Sequence, residues 1–196
     1  MRILTVADVE DDLLLSRLAR PESARYDLVI SCGDLGPSYL DAVATLANAP
    51  LAYVRGNHDT GYEDDWHMGG VNLDGRIERF GDLRVAGLEG SLDYRDGIVG
   101  YSQAEMSRKV VALGLRAALT GGIDVLVTHA PVRGYGDLPD GPHEGFEAFN
   151  GLLSWVHPRL MLHGHVHLNY GIIDRERTHP SGTRLINAYG WQEIEL

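Results

Sequence analysis

LMLHGHVHLN, residues 160–169, begins like a core strand and ends unlike one. Three apolar residues lead into His163, His165 and His167, with Gly164 between the first two. A buried imidazole nitrogen needs a partner, so three histidines at the end of an apolar run imply something to hold. Alternation along a strand would set all three on one face. His163 lies furthest inside the run and is the one best suited to a structural role.

The same ending recurs along the chain. RILTVA (2–7) is followed by Asp8 and YDLVISCG (26–33) by Asp34; LAYVRG (51–56) is followed by Asn57-His58-Asp59 and DVLVT (124–128) by His129. Ligands of open α/β sheets gather outside the carboxyl ends of strands. Taken singly these residues have plain readings, an Asp as a turn or helix cap and Gly33-Asp34 as a tight turn. Taken together, they put an oxygen or imidazole donor at every one of these strand ends. Histidine, carboxylate and amide oxygen form a mixed donor set that suits Mn, Fe, Zn or Ni. Six or seven donors exceed one tetrahedral zinc but serve two ions that share a carboxylate. Ions about 4 Å apart clamp both sides of an in-line displacement at phosphorus.

Short β-branched runs alternate with helix-period segments, which predicts an α/β fold. Helices are expected over 11–20, from Pro37 to about Ala47, over 101–119 and over 147–156. The third carries Met106, Val110, Val111, Leu113, Leu115 and Leu119 as an apolar face. RIERF and LRVAGLE read as a strand pair turning at Gly81-Asp82. NYGIID, TRLINAY and QEIEL read as closing strands. With 196 residues and no linker or repeat, one domain spanning 1–196 is expected. Residues 131–145 form a long Gly- and Pro-punctuated loop of the kind that carries function.

Composition narrows the function classes. The formal net charge is -11, from 28 acidic against 17 basic residues. No Lys/Arg cluster offers a track for a nucleic-acid polymer or an anionic membrane. A small anionic substrate fits if bound cations supply positive charge locally. The only cysteine, Cys32, has no partner for a disulfide, which is consistent with a reducing compartment. The apolar run at the N-terminus is too short for a signal peptide or a membrane span, so a cytoplasmic location is expected.

The blocks Asp8-Val9-Glu10, Gly33-Asp34, Gly56-Asn57-His58-Asp59, His129 and Gly164-His165-Val166-His167 resemble the motif series of the calcineurin-like metallophosphoesterase superfamily. They follow in the family's order, and the Gly-Asn-His-Asp and Gly-His-x-His blocks are highly specific. The resemblance implies a four-layer αββα sandwich of two mixed sheets with the site at the strand ends. It also implies two divalent ions, with Mn expected and Fe, Zn or Ni as alternatives. Asp34 would bridge them, Asp8 and His167 would hold the first, and Asn57, His129 and His165 the second. His58 would be the general acid and phosphate contact. Asp59 is read either as orienting His58 or as a solvent-facing turn carboxylate. Glu10 stands where the family usually has His. It is read either as a replacement ligand with a harder oxygen donor or as an acid complementing a helix N-terminus.

The implied activity is hydrolysis of a small phosphate ester by a metal-activated hydroxide. A diester is favoured over a monoester, because HGHVHLNYG and GTRLINAYG look like the closing stretches of members acting on cyclic nucleotides and artificial diesters. Arg55 and Arg133 are candidate phosphate contacts, and Thr60–Gly70, with Trp66 and His67, a candidate pocket wall. The alternative is a non-catalytic metal-binding or interaction module on the same fold.

Overall fold

In the computed structural model, which describes residues 1–22, 24–60, 69–96, 98–171 and 173–196, the apolar run after Met1 forms β1 (Arg2–Ala7). Asp11 then caps α1 (Asp12–Leu18), its side chain accepting from the amides of Leu13 and Leu14. β2 (Leu28–Ser31) leads to α2 (Pro37–Ala47), which has Pro at its start and ends on Asn48 in the left-handed region. Proline suits a first turn, where its missing N–H would be unpaired anyway. β3 (Leu51–Tyr53) and the short β4 (Val71–Asn72) follow. β5 (Ile77–Phe80) and β6 (Leu83–Leu88) pair antiparallel across Gly81-Asp82. The small parallel pair β7 (Ser91–Leu92) and β8 (Gly100–Tyr101) precedes α3 (Gln103–Thr120). A capping box starts α3: Ser102 accepts from the Glu105 amide while the Glu105 carboxylate accepts from the Ser102 amide. β9 (Val125–Thr128), α4 (Glu147–Val156), β10 (Leu160–His163), β11 (Glu176–Thr178), β12 (Arg184–Asn187) and β13 (Gly190–Glu195) complete the order.

Two mixed sheets result, ordered β13-β1-β2-β3-β4 and β11-β12-β10-β9-β6-β5. The strands from β1 to β4 in the first, and β12, β10, β9 and β6 in the second, run parallel. Antiparallel strands lie at the margins: β13 on β1, β11 on β12 and β5 on β6. Three apolar layers separate four layers of structure. Ile3, Leu28, Ile30 and Val54 of the first sheet pack on Val85, Val127, Leu160 and Leu162 of the second. The outer face of the first sheet is covered by Leu14, Leu40 and Val43 from α1 and α2. α3 and α4 cover the second through Met106, Val110, Leu113, Phe149 and Leu153. This is the expected αββα sandwich. Because β1, β2 and β3 are parallel neighbours, as are β9 and β10, their carboxyl ends lie side by side.

Three local expectations are corrected. The described residues of NYGIID form no strand: Leu168–Tyr170 is a 3₁₀ turn, and the next strand starts at Glu176. The buried face of α3 is Met106, Val110, Leu113, Gly114 and Ala117, while Val111, Leu115 and Leu119 are 52%, 55% and 88% exposed. The Trp155 ring sets this rotation, since a Cβ on Gly114 would lie 2.2 Å from it. Finally, the three histidines do not share a strand face. β10 stops at His163, and His165 turns into the left-handed region with φ 69°.

Candidate metal centre

Asp8, Asp34 and His165 all have positive φ, at 64°, 57° and 69°. Residues other than glycine seldom adopt this conformation, and such strain gathers at functional sites at a cost of about 1–3 kcal/mol each. Local hydrogen bonds hold the turns. The Asp8 amide donates to Gly33 O (3.1 Å), the Asp34 amide to Asp59 Oδ2 (2.9 Å), and the His165 amide to the Asp8 carboxylate (2.9 and 3.1 Å). Two motif glycines leave room for the carboxylates. A Cβ on Gly56 would stand 2.1 Å from Asp34 Oδ1, and one on Gly164 would stand 2.7 Å from Asp8 Oδ2.

One donor atom from each of Asp8, Asp34 and His129 lies within 4.8 Å of the others. His129 is fully buried, and its Nδ1 faces the Cys32 carbonyl at 2.8 Å. A carbonyl only accepts, so Nδ1 carries the proton and Nε2 of the neutral ring presents a lone pair. That lone pair faces Asn57 Oδ1 at 2.8 Å and Asp34 Oδ2 at 3.5 Å. The Asn57 orientation is fixed by its amide, which donates to Tyr94 Oη (3.3 Å). Three acceptors therefore converge, an arrangement that a cation or an added proton resolves. His165 donates through Nε2 to Pro142 O (2.8 Å), which leaves Nδ1 as its available donor atom. His167 Nε2 lies 3.9 Å from Asp8 Oδ1, and its ring stacks on Tyr170. The donor set fits divalent metal ions.

The electrostatics reflect how closely these carboxylates and imidazoles are buried together. Burial pushes the Asp8 carboxyl up to about 6, with the nearby Asp34 charge adding to the rise against a pull down from His129. Burial likewise raises Asp59 to about 6. For His129, burial alone would lower the pKa, but Asp34 and Asp8 outweigh it and the net shift is upward. His165 is lowered to about 2 by burial, so it is held as the neutral ring a metal requires.

The cleft around these groups encloses about 490 Å³ and is lined by Asp8, Asp34, Asn57, His58, Asp59, His165 and His167, together with Tyr94, His143 and Tyr170. His58 is exposed; its amide donates to Asp34 Oδ1 (2.8 Å), and its Nδ1 accepts from Arg95 (3.3 Å). Asp59 is buried, and its Oδ2 accepts from the amides of Gly56 (2.7 Å) and Asp34 (2.9 Å), joining the two loops. Glu10 is exposed and outside the cleft lining, its Oε1 accepting from the Gly36 amide (2.9 Å) at the start of α2. Glu10→Ala is expected to leave manganese stoichiometry unchanged in a calorimetric titration and to cost about 0.3–1 kcal/mol of stability. Loss of one manganese site would assign Glu10 as a ligand.

Arg55 and Arg133 stand outside the cleft lining. Arg55 makes a bidentate pair with buried Glu89 (2.8 Å), and Arg133 pairs with Glu144 (2.6 Å). Trp66 and His67 lie outside the described residues.

His163 is buried, donating through Nδ1 to Gly164 O (3.1 Å), and burial lowers its pKa to about 4. Between about pH 6.5 and 4 the unfolded chain protonates this histidine and the folded chain does not. Its contribution to stability is therefore complete above 6.5 and is lost on acidification, at up to about 1.4 kcal/mol per pH unit. His163→Asn should flatten the fall of melting temperature over that window.

A model of the calcineurin-like phosphoesterase superfamily domain matches residues 1–188. The chain belongs to that superfamily. Members of the calcineurin-like superfamily generally use a dinuclear divalent metal centre, and Asp8, Asp34 and His129 are this member's candidate group. One solved structure superposes with a TM-score of 0.71 over 98% of this chain and 94% of its own, at 13% identity. TT1561 of Thermus thermophilus does so with a TM-score of 0.65, 16% identity and coverage of 96% and 89%. GAP50, the anchor in the inner membrane complex of Plasmodium, gives a TM-score of 0.50, 15% identity and coverage of 95% and 70%. At these identities the likeness is one of fold. No curated protein matches by sequence.

Tyr94, His143 and Tyr170 are cleft residues that motif reasoning missed, as is Arg95, which contacts His58 from beside the cleft. His143 lies in the long loop expected to carry function, and Tyr170 closely follows the Gly-His-x-His block. Tyr94 and Arg95 follow β7 with no motif to mark them.

Proposed function

We propose that this calcineurin-like phosphoesterase hydrolyses a small phosphate ester, a diester in preference to a monoester, with two divalent cations shared across Asp34. The convergence of His129 Nε2, Asn57 Oδ1 and Asp34 Oδ2 on one point beside Asp8 carries the reading. Asp8 and His167 would hold one ion, and Asn57, His129 and His165 the other. Manganese suits this mixed oxygen and nitrogen set, with Fe, Zn or Ni as rivals. When bound, such ions neutralise phosphoryl charge and activate the attacking water.

The chain's own residues supply the rest. An arginine can only donate, so His58 Nδ1 accepts and the neutral ring carries its proton on Nε2. A neutral ring would become imidazolate by giving that proton up, so proton transfer to the leaving oxygen is assigned to the imidazolium, formed when Nδ1 takes a proton and the Arg95 contact is released. Asp59 fixes the loop that carries His58 by tying Gly56 to Asp34. The diester preference is supported by the likeness of the closing stretch to that of diester-cleaving members. The acidic balance supports a small substrate over a nucleic-acid polymer or a membrane. No helix among the described residues is long and apolar enough to cross a membrane. A cytoplasmic setting is supported by the single buried cysteine.

The test is a panel of p-nitrophenyl phosphomonoesters and phosphodiesters with Mn, Fe(II), Co, Ni and Zn. Faster diester turnover is expected. Faster monoester turnover would reverse the preference, and no turnover with any ion would favour the binding module.

A further inference from the structure

The cleft contains two imidazoles outside the proposed metal donor set, and their neighbours hold them in opposite tautomers. His58 accepts at Nδ1 from Arg95, as described. His143 faces Asp140 instead: its Nδ1 lies 2.6 Å from Asp140 Oδ2, and its amide donates to Asp140 Oδ1 (3.0 Å). A carboxylate accepts, so His143 Nδ1 carries the proton, and in the neutral ring Nε2 is the atom that presents a lone pair. No partner for that Nε2 is found among the described residues.

The loop around His143 is fixed. Asp137 accepts from the amides of Gly134 (2.8 Å) and Gly145 (3.2 Å), and the Leu138 amide donates to His143 O (3.1 Å). Pro142 O receives the His165 Nε2 proton, which ties the loop to the metal centre. The His143 ring lies 5.1 Å from that of His165 and 5.0 Å from that of Tyr170. It is thus a positioned acceptor on the wall of the cleft.

A phosphoryl oxygen is itself an acceptor and gains nothing from such a lone pair; a hydroxyl does. We propose that His143, oriented by Asp140, is a specificity-determining residue that accepts a hydrogen bond from a hydroxyl on the alcohol portion of the substrate. The preferred substrates are then phosphate esters of polyols or sugars. This inference rests on the phosphoesterase reading and deepens it.

A matched pair of substrates tests it: the p-nitrophenyl phosphodiesters of glycerol and of propanol, with manganese-loaded protein. The wild type should favour the glycerol ester in kcat/KM by about tenfold, the size of one good hydrogen bond. His143→Ala should bring that ratio to about one with manganese content unchanged, and His143→Gln, which keeps an acceptor, should restore part of it. Calorimetry with glycerol 1-phosphate and propyl phosphate reads the same ratio without turnover. Equal handling of the two esters by the wild type would overturn the proposal, as would an equal loss on both in His143→Ala. Loss of manganese from His143→Ala would make the residue a ligand and overturn it as well. If neither ester is hydrolysed, the phosphoesterase reading fails separately, and equal binding of the two products would then remove the hydroxyl contact.

Discussion

Asp34→Ala is expected to reduce phosphodiester turnover by roughly 10³-fold or more, to the rate seen in EDTA. That size follows from the several kcal/mol of transition-state charge stabilisation that bound cations provide. Asp34 serves both sides of the site. Its Oδ1 holds the His58 amide at 2.8 Å, and its Oδ2 lies 3.5 Å from His129 Nε2. Its removal takes away the shared donor and loosens the loop bearing the acid in one step. Metal content by mass spectrometry should fall along with kcat/KM. Wild-type turnover and metal content in this variant would remove Asp34 from the centre.

His58→Ala should behave differently. Protonation of a leaving oxygen by a positioned side chain contributes roughly 10²- to 10⁴-fold, so kcat should drop by about that factor. The ring is exposed and its Nδ1 faces Arg95, so metal content and melting temperature should stay near wild type. The variant separates chemistry from metal retention, because Asp34→Ala is expected to lose both. A His58→Ala protein that had lost its metal would make His58 a ligand and leave the reaction without its assigned acid.

The parts of this architecture that were legible in the sequence are those that depend on local pattern. The bounds Pro37–Ala47 and Glu147–Val156 follow from a proline start and from helical periodicity ended by left-handed residues. The theme of donors after strands was legible because a parallel strand delivers its next residue to one edge of the sheet whatever the rest of the chain does. The face of α3 was not, because hydropathy alone gives Leu115 and Leu119 the same weight as Leu113. What decides is the Trp155 ring lying over Gly114, a contact between two helices. Alternation failed beyond His163 because it applies only while the chain stays in the sheet, and Gly164 lets it turn around the Asp8 carboxylate. Arg55 adjoins the Gly-Asn-His-Asp block, yet its partner is Glu89, 34 residues further on. His143 and Tyr94 reach the cleft from loops, where no periodicity announces a direction.

Donors converging from the ends of β1, β2, β3, β9 and β10 make up the proposed metal-dependent hydrolytic centre. Its most direct test is turnover of bis(p-nitrophenyl) phosphate by metal-free protein as manganese is added back in known equivalents. Negligible turnover in EDTA is expected, with a rise that saturates near two equivalents per chain and is lost when chelator is restored. Binding of manganese at those sites with no hydrolysis at any occupancy would contradict it.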